Sequence, residues 1–392
     1  MGKKLSILFI PRWYPARVDP LNGIFIKRHA LAVATLHRVA VLYVSADPAM
    51  KDKIYDTEFT EEEGLHTCRV YYNNSIPGIP FISTAIKFFR YLRASRKGIN
   101  ILNEKFGKPD ISHIHVLSRT FFPANYYRRF YNVPFLISEQ WSGYHAEDGL
   151  YKGVLKKMLT RLAVRNAAAV TTVSESLRDA MLSHGLKNNY SVIPNVVDTK
   201  LFYPAPEIKS KDRIILLHVS NLNDRAKNVS GMVRVAQKLS EKRSDFELHI
   251  AGDGPDRDIS EGIAKKYNLL NRIVFFEGVK NSAEIAEMMR SADLFLLFSN
   301  YDNMPCVMVE SLASGLPVIG SSIHGIKEHV KDGRGILVPP GDEAALLLAI
   351  EKALATLDSF DRTALHLYAK NNFSFEGVAE RFDSIYRKMI TT

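Results

Sequence analysis

Two carboxylates, Asp302 and Glu310, stand eight positions apart in the stretch Ser299–Gly320, SNYDNMPCVMVESLASGLPVIG. Carboxylates so placed can accept hydrogen bonds from several hydroxyls of one sugar. Pro305 suits a first helical turn, where its missing N–H is no loss, and Gly315 with Pro317 suits the stop. The spacing predicts a helix over Pro305–Ser314, with Asp302 just before its positive end and Glu310 about two turns along, near the same face. An N-capping aspartate and a solvated helix glutamate would give the same spacing.

Two cations, Arg225 and Lys227, fall in Leu216–Leu239, where a strand ends at Ser220 and a helix is expected from near Asn228. Backbone N–H groups and the helix dipole favour an anion at such a start. Lys227 and Arg225 there would suit a diphosphate and the negative charge it develops as a leaving group. A solvated basic loop is the plain alternative.

Smaller signals surround these. Asn22–Gly23 precedes the helix-like Ile24–Ala34, and a glycine there lets backbone approach a phosphate; an ordinary loop glycine fits as well. Ala251–Pro255, AGDGP, ends a strand with Gly252 and Gly254; alone it is a weak nucleotide signature, and a plain turn explains it better. Val192–Tyr203 reads as a domain connection. His113 and His115 share one face of a strand, but two imidazoles without a third ligand do not make a metal site. The segment Phe81–Lys97 sets Phe81, Phe88, Phe89 and Leu92 among five cations. Such a helix can lie on an anionic membrane or pack on its own sheet. The cluster Tyr126–Tyr131 could extend that surface. Nucleic acid is the other use of a basic patch, and no recognised module for it is present.

The elements that must hold these residues alternate in type. Strands are expected at Leu5–Ile10, Val39–Val44, Ile111–Val116, Phe135–Ile137 and Ala168–Val173. The second half repeats the scheme at Ile214–Val219, Phe246–Ala251, Ile273–Phe276, Leu294–Phe298 and Val318–Ile319. Helical patterns lie between several of them, as at Tyr151–Asn166 and Ser174–His184. Alternation of this kind argues for parallel sheets covered on both faces. The proline-rich stretch Asn195–Ser210 reads as a linker. It divides an N-terminal domain, residues 1–200, from a C-terminal domain, residues 206–372. The tail Phe375–Ile390 reads as a helix. Ligands of open parallel sheets bind beyond the carboxyl ends of the strands, so two sheets facing a cleft would concentrate the chemistry there.

Composition sets the outer limits. The chain has 392 residues and 46% apolar content, enough for two full cores. Only Cys68 and Cys306 occur, which excludes a disulfide framework and fits a reducing compartment. Leu5–Ile10 is too short for a signal peptide and reads as a strand. No stretch approaches the roughly 20 apolar residues of a membrane span, so a soluble or peripheral protein is expected. Residues 1–200 hold 28 Lys and Arg against 16 Asp and Glu, a net +12, whereas the remainder holds 24 against 26. The basic half points to an anionic partner.

Taken together and in order, these segments resemble the retaining GT4 family of glycosyltransferases. The resemblance covers nearly the whole chain. It is strongest at Val192–Phe202, Leu217–Val235, Ile250–Pro255, Ser291–Gly320 and Gly325–Asp342. It implies the GT-B fold: α/β, two Rossmann-like, doubly wound parallel-sheet domains facing a cleft, with a C-terminal helix, about residues 373–392, returning to the first. Asp302 and Glu310 look like the family's pair of acids, followed by its "ASGLPVI" segment. The resemblance implies that Lys227 holds the donor diphosphate, Glu310 the ribose hydroxyls and Asp302 the transferred sugar. It places the base near Gly278 and Val279, the diphosphate near the amides of Met304, Pro305, Cys306 and Val307, and Gly252 on the donor side. Gly23 would touch phosphate from the first domain. No cofactor and no metal are implied.

Three departures matter. Ser220-Asn221-Leu222 stands where the family often has an arginine, and Arg225 is the substitute offered. The first acid is aspartate. Glu139-Gln140-Trp141 stands where relatives carry "EHW", so Gln140 replaces the usual histidine, and Glu139 becomes a candidate base or positioning group. The function implied is retaining transfer of a sugar from a nucleotide-diphosphate-sugar to a saccharide or lipid-linked acceptor, in cell-envelope polysaccharide synthesis. The alternatives are a nucleotide-sugar epimerase and a non-catalytic sugar-nucleotide-binding subunit. Expected partners are the donor, the acceptor and a membrane surface touched through 81–97, without nucleic acid. The expected location is cytoplasmic, peripheral on the inner face of the membrane.

Overall fold

A computed structural model describes residues 3–75, 80–205 and 212–391; Pro206–Ser210 of the expected linker and the side chain of Phe81 lie outside the described residues. The chain divides into two compact units. One comprises residues 1–173, 177–196 and 375–392, and the other 174–176 and 197–374.

The first unit holds eight strands: β1 (Ser6–Pro11), β2 (Arg38–Ala46), β3 (Tyr55–Glu62), β4 (Leu65–Tyr72), β5 (Ile111–His115), β6 (Phe135–Glu139), β7 (Ala169–Thr172) and β8 (Tyr190–Val192). Their order is β3-β4-β2-β1-β5-β6-β7-β8, with all neighbours parallel except β3 and β4. Every residue of β1 after Ser6 is buried, and so is all of β5 and β6, as strands covered on both faces require. The covering helices are α1 (Ile24–Ala34), α2 (Pro80–Lys105), α3 (Phe121–Tyr131), α4 (Val154–Asn166) and α5 (Glu175–Ser183). The β3–β4 hairpin is an addition to the expected alternation. Glu63 (φ 53°) and Gly64 (φ 78°) are both left-handed, as a tight two-residue hairpin turn demands.

The second unit holds β9 (Ile214–Val219), β10 (Phe246–Ala251), β11 (Val274–Gly278), β12 (Leu294–Leu297), β13 (Val318–Ser321) and β14 (Gly335–Val338), ordered β11-β10-β9-β12-β13-β14 and parallel throughout. Its helices are α6 (Asp224–Lys227), α7 (Val229–Ser240), α8 (Arg257–Lys266), α9 (Ser282–Ser291), α10 (Cys306–Ala313), α11 (His324–His329), α12 (Glu343–Ala355) and α13 (Arg362–Phe373). In α7 an apolar stripe that includes Val229, Met232, Val233 and Ala236 is buried in a core with Phe246, Leu248 and Phe298.

The last helix, α14 (Phe375–Thr391), packs in the first unit. Phe382 and Tyr386 enter the core beside α1 and β1. The Tyr386 hydroxyl meets Nδ1 of the buried His113 at 2.7 Å, and Ser138 Oγ meets Nε2 at 2.6 Å. Among the described residues no helix is long and apolar enough to cross a membrane.

Each sheet reverses its strand order at one place, between β1 and β5 in the first unit and between β9 and β12 in the second. The loops leaving such neighbours diverge to opposite faces and open a crevice at the carboxyl ends of the strands. The candidate residues of each unit are sought at these two switch points.

Candidate functional site

In the second unit the loops that leave β9 and β12 are stitched together. Asn300 donates its backbone N–H to the Ala226 carbonyl at 2.8 Å and its side-chain amide to the Arg225 carbonyl at 3.0 Å. The β9 loop turns through Leu222 (φ 39°) into α6, which Asn223 caps by accepting from Ala226 N at 3.1 Å. Asn228 then takes a left-handed conformation and α7 starts anew. Arg225 and Lys227 therefore lie just ahead of the long helix, as the sequence suggests, on a separate single turn that it did not predict. Asp224 ties the two helices, accepting from Ser230 N at 2.7 Å and Ser230 Oγ at 2.5 Å.

This stitching brings Lys227 Nζ against the carboxylate of Asp302, 75 residues away, in a direct ion pair. The two side chains are only 18% and 16% exposed. Arg225 is exposed, with its guanidinium 5.9 Å from the Tyr301 ring centre. The helix holding Glu310 begins later than its spacing predicts. Pro305 is the N-cap, with extended backbone, and α10 runs over Cys306–Ala313. Asp302 is in the loop just ahead of the helix, as its position in the sequence predicts, and only Glu310 lies on α10. Glu310 is buried on α10, as are Met304 and Pro305 before it, whereas Cys306 and Val307 in the first turn are half-buried.

Neighbouring strand ends complete the crevice. Gly252 and Gly254 follow β10, and each is held to glycine by its neighbours. A Cβ on Gly252 would lie 1.8 Å from the Ser220 carbonyl oxygen, and one on Gly254 would lie 1.9 Å from that of Asn221. These glycines let the β10 loop pack flat on the β9 loop that carries Lys227. Gly252 also donates to the Gly278 carbonyl at 2.7 Å, which fixes the end of β11. Gly278 has open space beside it and Val279 is exposed. Beneath the β9 loop, buried His218 bridges the Leu296 carbonyl and Ser220 Oγ, both at 2.8 Å. Burial lowers its pKa to about 4, so it stays neutral.

The first unit carries the other sequence candidates. Gly23 caps α1 with φ 72°, and a Cβ there would lie 2.3 Å from the Trp13 backbone. Glu139, at the end of β6, is fully buried. Its oxygens accept from Leu117 N (3.1 Å), Gln140 N (2.9 Å), Trp141 N (3.0 Å) and Tyr144 Oη (3.2 Å). Burial raises its pKa, against those four hydrogen bonds. So engaged, Glu139 holds two loops in place, which favours the positioning role over the basic one. The Gln140 amide nitrogen lies 3.2 Å from His29 Nδ1 and 3.3 Å from Asn195 Oδ1. His115 stacks on Phe9 and lies 4.1 Å from the His113 ring, fully buried, with neither ring nitrogen hydrogen-bonded among the described residues.

Sequence reasoning missed a cavity of about 900 Å³ at the switch point of the first unit. Arg12 after β1, Arg119 after β5 and Lys156 on α4 line it, with apolar walls from Phe88, Phe121, Phe122 and Leu159. Asking which residues follow β1 and β5 would have found the two arginines.

The comparisons agree with this architecture. The sequence profile described as Glycosyltransferase Family 4 matches residues 24–201, and the one described as Glycosyl transferases group 1 matches residues 199–364. The chain belongs to this glycosyltransferase family. A putative glycosyltransferase, EpsF of Bacillus subtilis strain 168, is 32% identical over 50% of this chain and 51% of its own length. The chain thus spans about half the length of this and other curated relatives that it matches. Sucrose-phosphate synthase of Thermosynechococcus elongatus superposes with a TM-score of 0.78 at 21% identity, over 99% of this chain and all of the other. Anabaena HepE, solved in complex with UDP and glucose, gives 0.73 at 16% identity, over 97% and 99%. These structures establish the fold, which is GT-B.

Proposed function

We propose that the protein is a retaining glycosyltransferase whose second unit holds a nucleotide-diphosphate-sugar and whose first unit holds the acceptor. The observation that carries this reading is the Lys227–Asp302 pair at the switch point of the second sheet. It sets a cation for phosphate beside a carboxylate for sugar hydroxyls. The family membership and the UDP and glucose bound to the Anabaena neighbour support a sugar nucleotide as donor.

In this mechanism the bond between the anomeric carbon and the leaving phosphate oxygen stretches toward an oxocarbenium-like state. Lys227 and Arg225 stabilise the charge gathering on the diphosphate, assisted by the start of α10 at Met304–Val307. The acceptor oxygen bonds to the anomeric carbon on the face the phosphate leaves, and its proton passes to the leaving phosphate oxygen. Glu310 takes the ribose hydroxyls, Asp302 the transferred sugar, and the backbone at Gly252, Gly278 and Val279 lines the nucleotide. Glu139 positions the Gln140–Trp141 turn. The scheme uses no metal or cofactor. A lipid-linked or saccharide acceptor of cell-envelope polysaccharide synthesis fits the basic first half.

A panel of UDP-, GDP- and ADP-sugars, assayed for free nucleoside diphosphate, tests the reading. Release from one donor, abolished in Lys227→Ala, is expected. Wild-type release in that variant would overturn the phosphate assignment. Gln140 supports a second reading, a subunit that binds donor without turnover, which predicts binding without release and a gain of release in Gln140→His.

A further inference from the structure

The helix α4 presents an unusual outer face. Val154, Leu155, Met158 and Leu162 are all exposed, Val154 at 86% and Met158 at 57%. At 3.6 residues per turn these four fall within one arc of about 100°. Around them stand Lys152, Lys156, Lys157, Arg161 and Arg165, all exposed, and no acid occurs between Asp148 and Glu175. The adjoining side of the same helix, which shares Leu155 and Lys156 with this face and continues through Leu159, Thr160 and Ala163, lines the 900 Å³ cavity. On the cavity's other side α2 leaves Ile86 and Phe89 exposed, with the exposed Arg93 one turn on.

Three cations reach the cavity, and among the described residues none of them pairs with a carboxylate. Lys156 Nζ lies 3.8 Å from the Trp141 ring centre and donates to the Leu150 carbonyl. Arg12 lies over Trp13 at 4.8 Å and near Trp141 at 5.7 Å. Arg119 lies 5.9 Å from the Tyr91 ring centre and donates to the Tyr72 hydroxyl at 3.4 Å. Aromatic faces hold these charges in place without neutralising them.

We propose that the outer face of α4 rests on an anionic lipid surface, and that the cavity behind it takes from that surface an amphiphile with an apolar chain and a phosphate headgroup. The charge of the helix selects the surface, and its four apolar side chains enter it. The aromatic walls of the cavity suit the chain, and Arg12, Arg119 and Lys156 suit the headgroup. The sequence places membrane contact at 81–97; the structure puts the stronger face on α4. That the amphiphile is the acceptor rests on the transferase reading; the docking itself does not.

The test uses sedimentation with vesicles of phosphatidylglycerol or phosphatidylcholine, together with calorimetric titration of dodecyl phosphate. The wild type is expected to bind phosphatidylglycerol vesicles at least about tenfold better than phosphatidylcholine, and to bind dodecyl phosphate. Val154→Glu with Met158→Glu, both on the outward face, is expected to lose vesicle binding about tenfold while donor release and thermal unfolding stay unchanged. Leu159→Trp, which fills the cavity, is expected to lose dodecyl phosphate while keeping nucleoside diphosphate. Equal affinity for the two vesicles, or unchanged binding in both variants, overturns the inference. Vesicle binding without release from any donor would instead overturn the transferase reading and leave the docking standing.

Discussion

Asp302→Asn is expected to tighten binding of the product nucleoside diphosphate, although it removes a group from the site. Lys227 is committed to Asp302, in a pair whose side chains are more than four-fifths buried. If Lys227 is the diphosphate cation, product binding must loosen that pair first. Exposed ion pairs contribute about 0.2–1 kcal/mol, and this partly buried one belongs at or above the top of that range, so ~1 kcal/mol is released on neutralising Asp302. That is about a fivefold lower Kd. Lys227→Ala moves the other way, losing a charged hydrogen bond of roughly 1.5–3 kcal/mol, about 10- to 150-fold in Kd. Transfer nevertheless falls in both variants, because an amide in place of the Asp302 carboxylate accepts fewer hydrogen bonds from the sugar hydroxyls. Calorimetric titration with the diphosphate chosen by the donor panel measures the first effect, and steady-state kcat the second. A purely structural ion pair would weaken product binding from either side. Weaker or unchanged product binding in Asp302→Asn would therefore refute the assignment of Lys227 to phosphate.

Two further expectations concern the frame around the site. His29 in the first unit and His218 in the second are fully buried, and burial lowers both from 6.5 to about 4. The folded state keeps them neutral while the unfolded chain protonates them below pH 6.5, so stability is full above that value and is lost as pH falls toward 4. At pH 5 the loss is ~2 kcal/mol for each, and His113 and His115, lowered further by the same burial, add to it. Calorimetric unfolding should show Tm several degrees lower at pH 5 than at pH 7.5, and a flat Tm would refute the argument. Gly252→Ala sets a Cβ 1.8 Å from the Ser220 oxygen at a φ of 125°. A destabilisation of ~3 kcal/mol or more is expected from clash and backbone strain; wild-type Tm with intact nucleoside-diphosphate binding would show that the close approach is dispensable.

The repeating parallel strands were legible because strands buried on both faces must be apolar throughout. β1 after Ser6 and β12 are uninterrupted runs of that kind, and no helix could hide in so few residues. The β3–β4 hairpin was not legible for the opposite reason. At the sheet edge β3 faces water, and its sequence YDTEFTEE is mostly polar, so it offers no buried run to notice. Its turn at Glu63–Gly64 needs two left-handed residues, and glutamate is a poor signal for one. β8, three residues long, falls below the length at which periodicity means anything.

The candidate site was legible as residue types and not as contacts. Arg225, Lys227, Asp302 and Glu310 stand out as charges in and after the loops at strand ends, and the spacing put Asp302 just ahead of the helix that carries Glu310. That helix begins at Cys306, one residue later than the spacing predicts, because Pro305 takes extended backbone at its N-cap. Only the order β9-β12 in the sheet makes Lys227 and Asp302 neighbours, and strand order is a property of the whole unit that no local pattern contains. Glu139 shows the same limit from the other side. A glutamate at a strand end reads as a base, a positioning group or a structural carboxylate until the four donors around it are seen, and these favour holding the loop where Gln140 and Trp141 stand. On α4 the apolar residues read naturally as the buried stripe of an amphipathic helix. Burial instead falls to Thr160, Ala163 and Val164, which are small enough to seat the helix close, and the larger Val154, Leu155, Met158 and Leu162 are left to solvent. Exposure of that size against five cations is a property the fold confers on the sequence, and it is the physical ground for looking to a lipid surface.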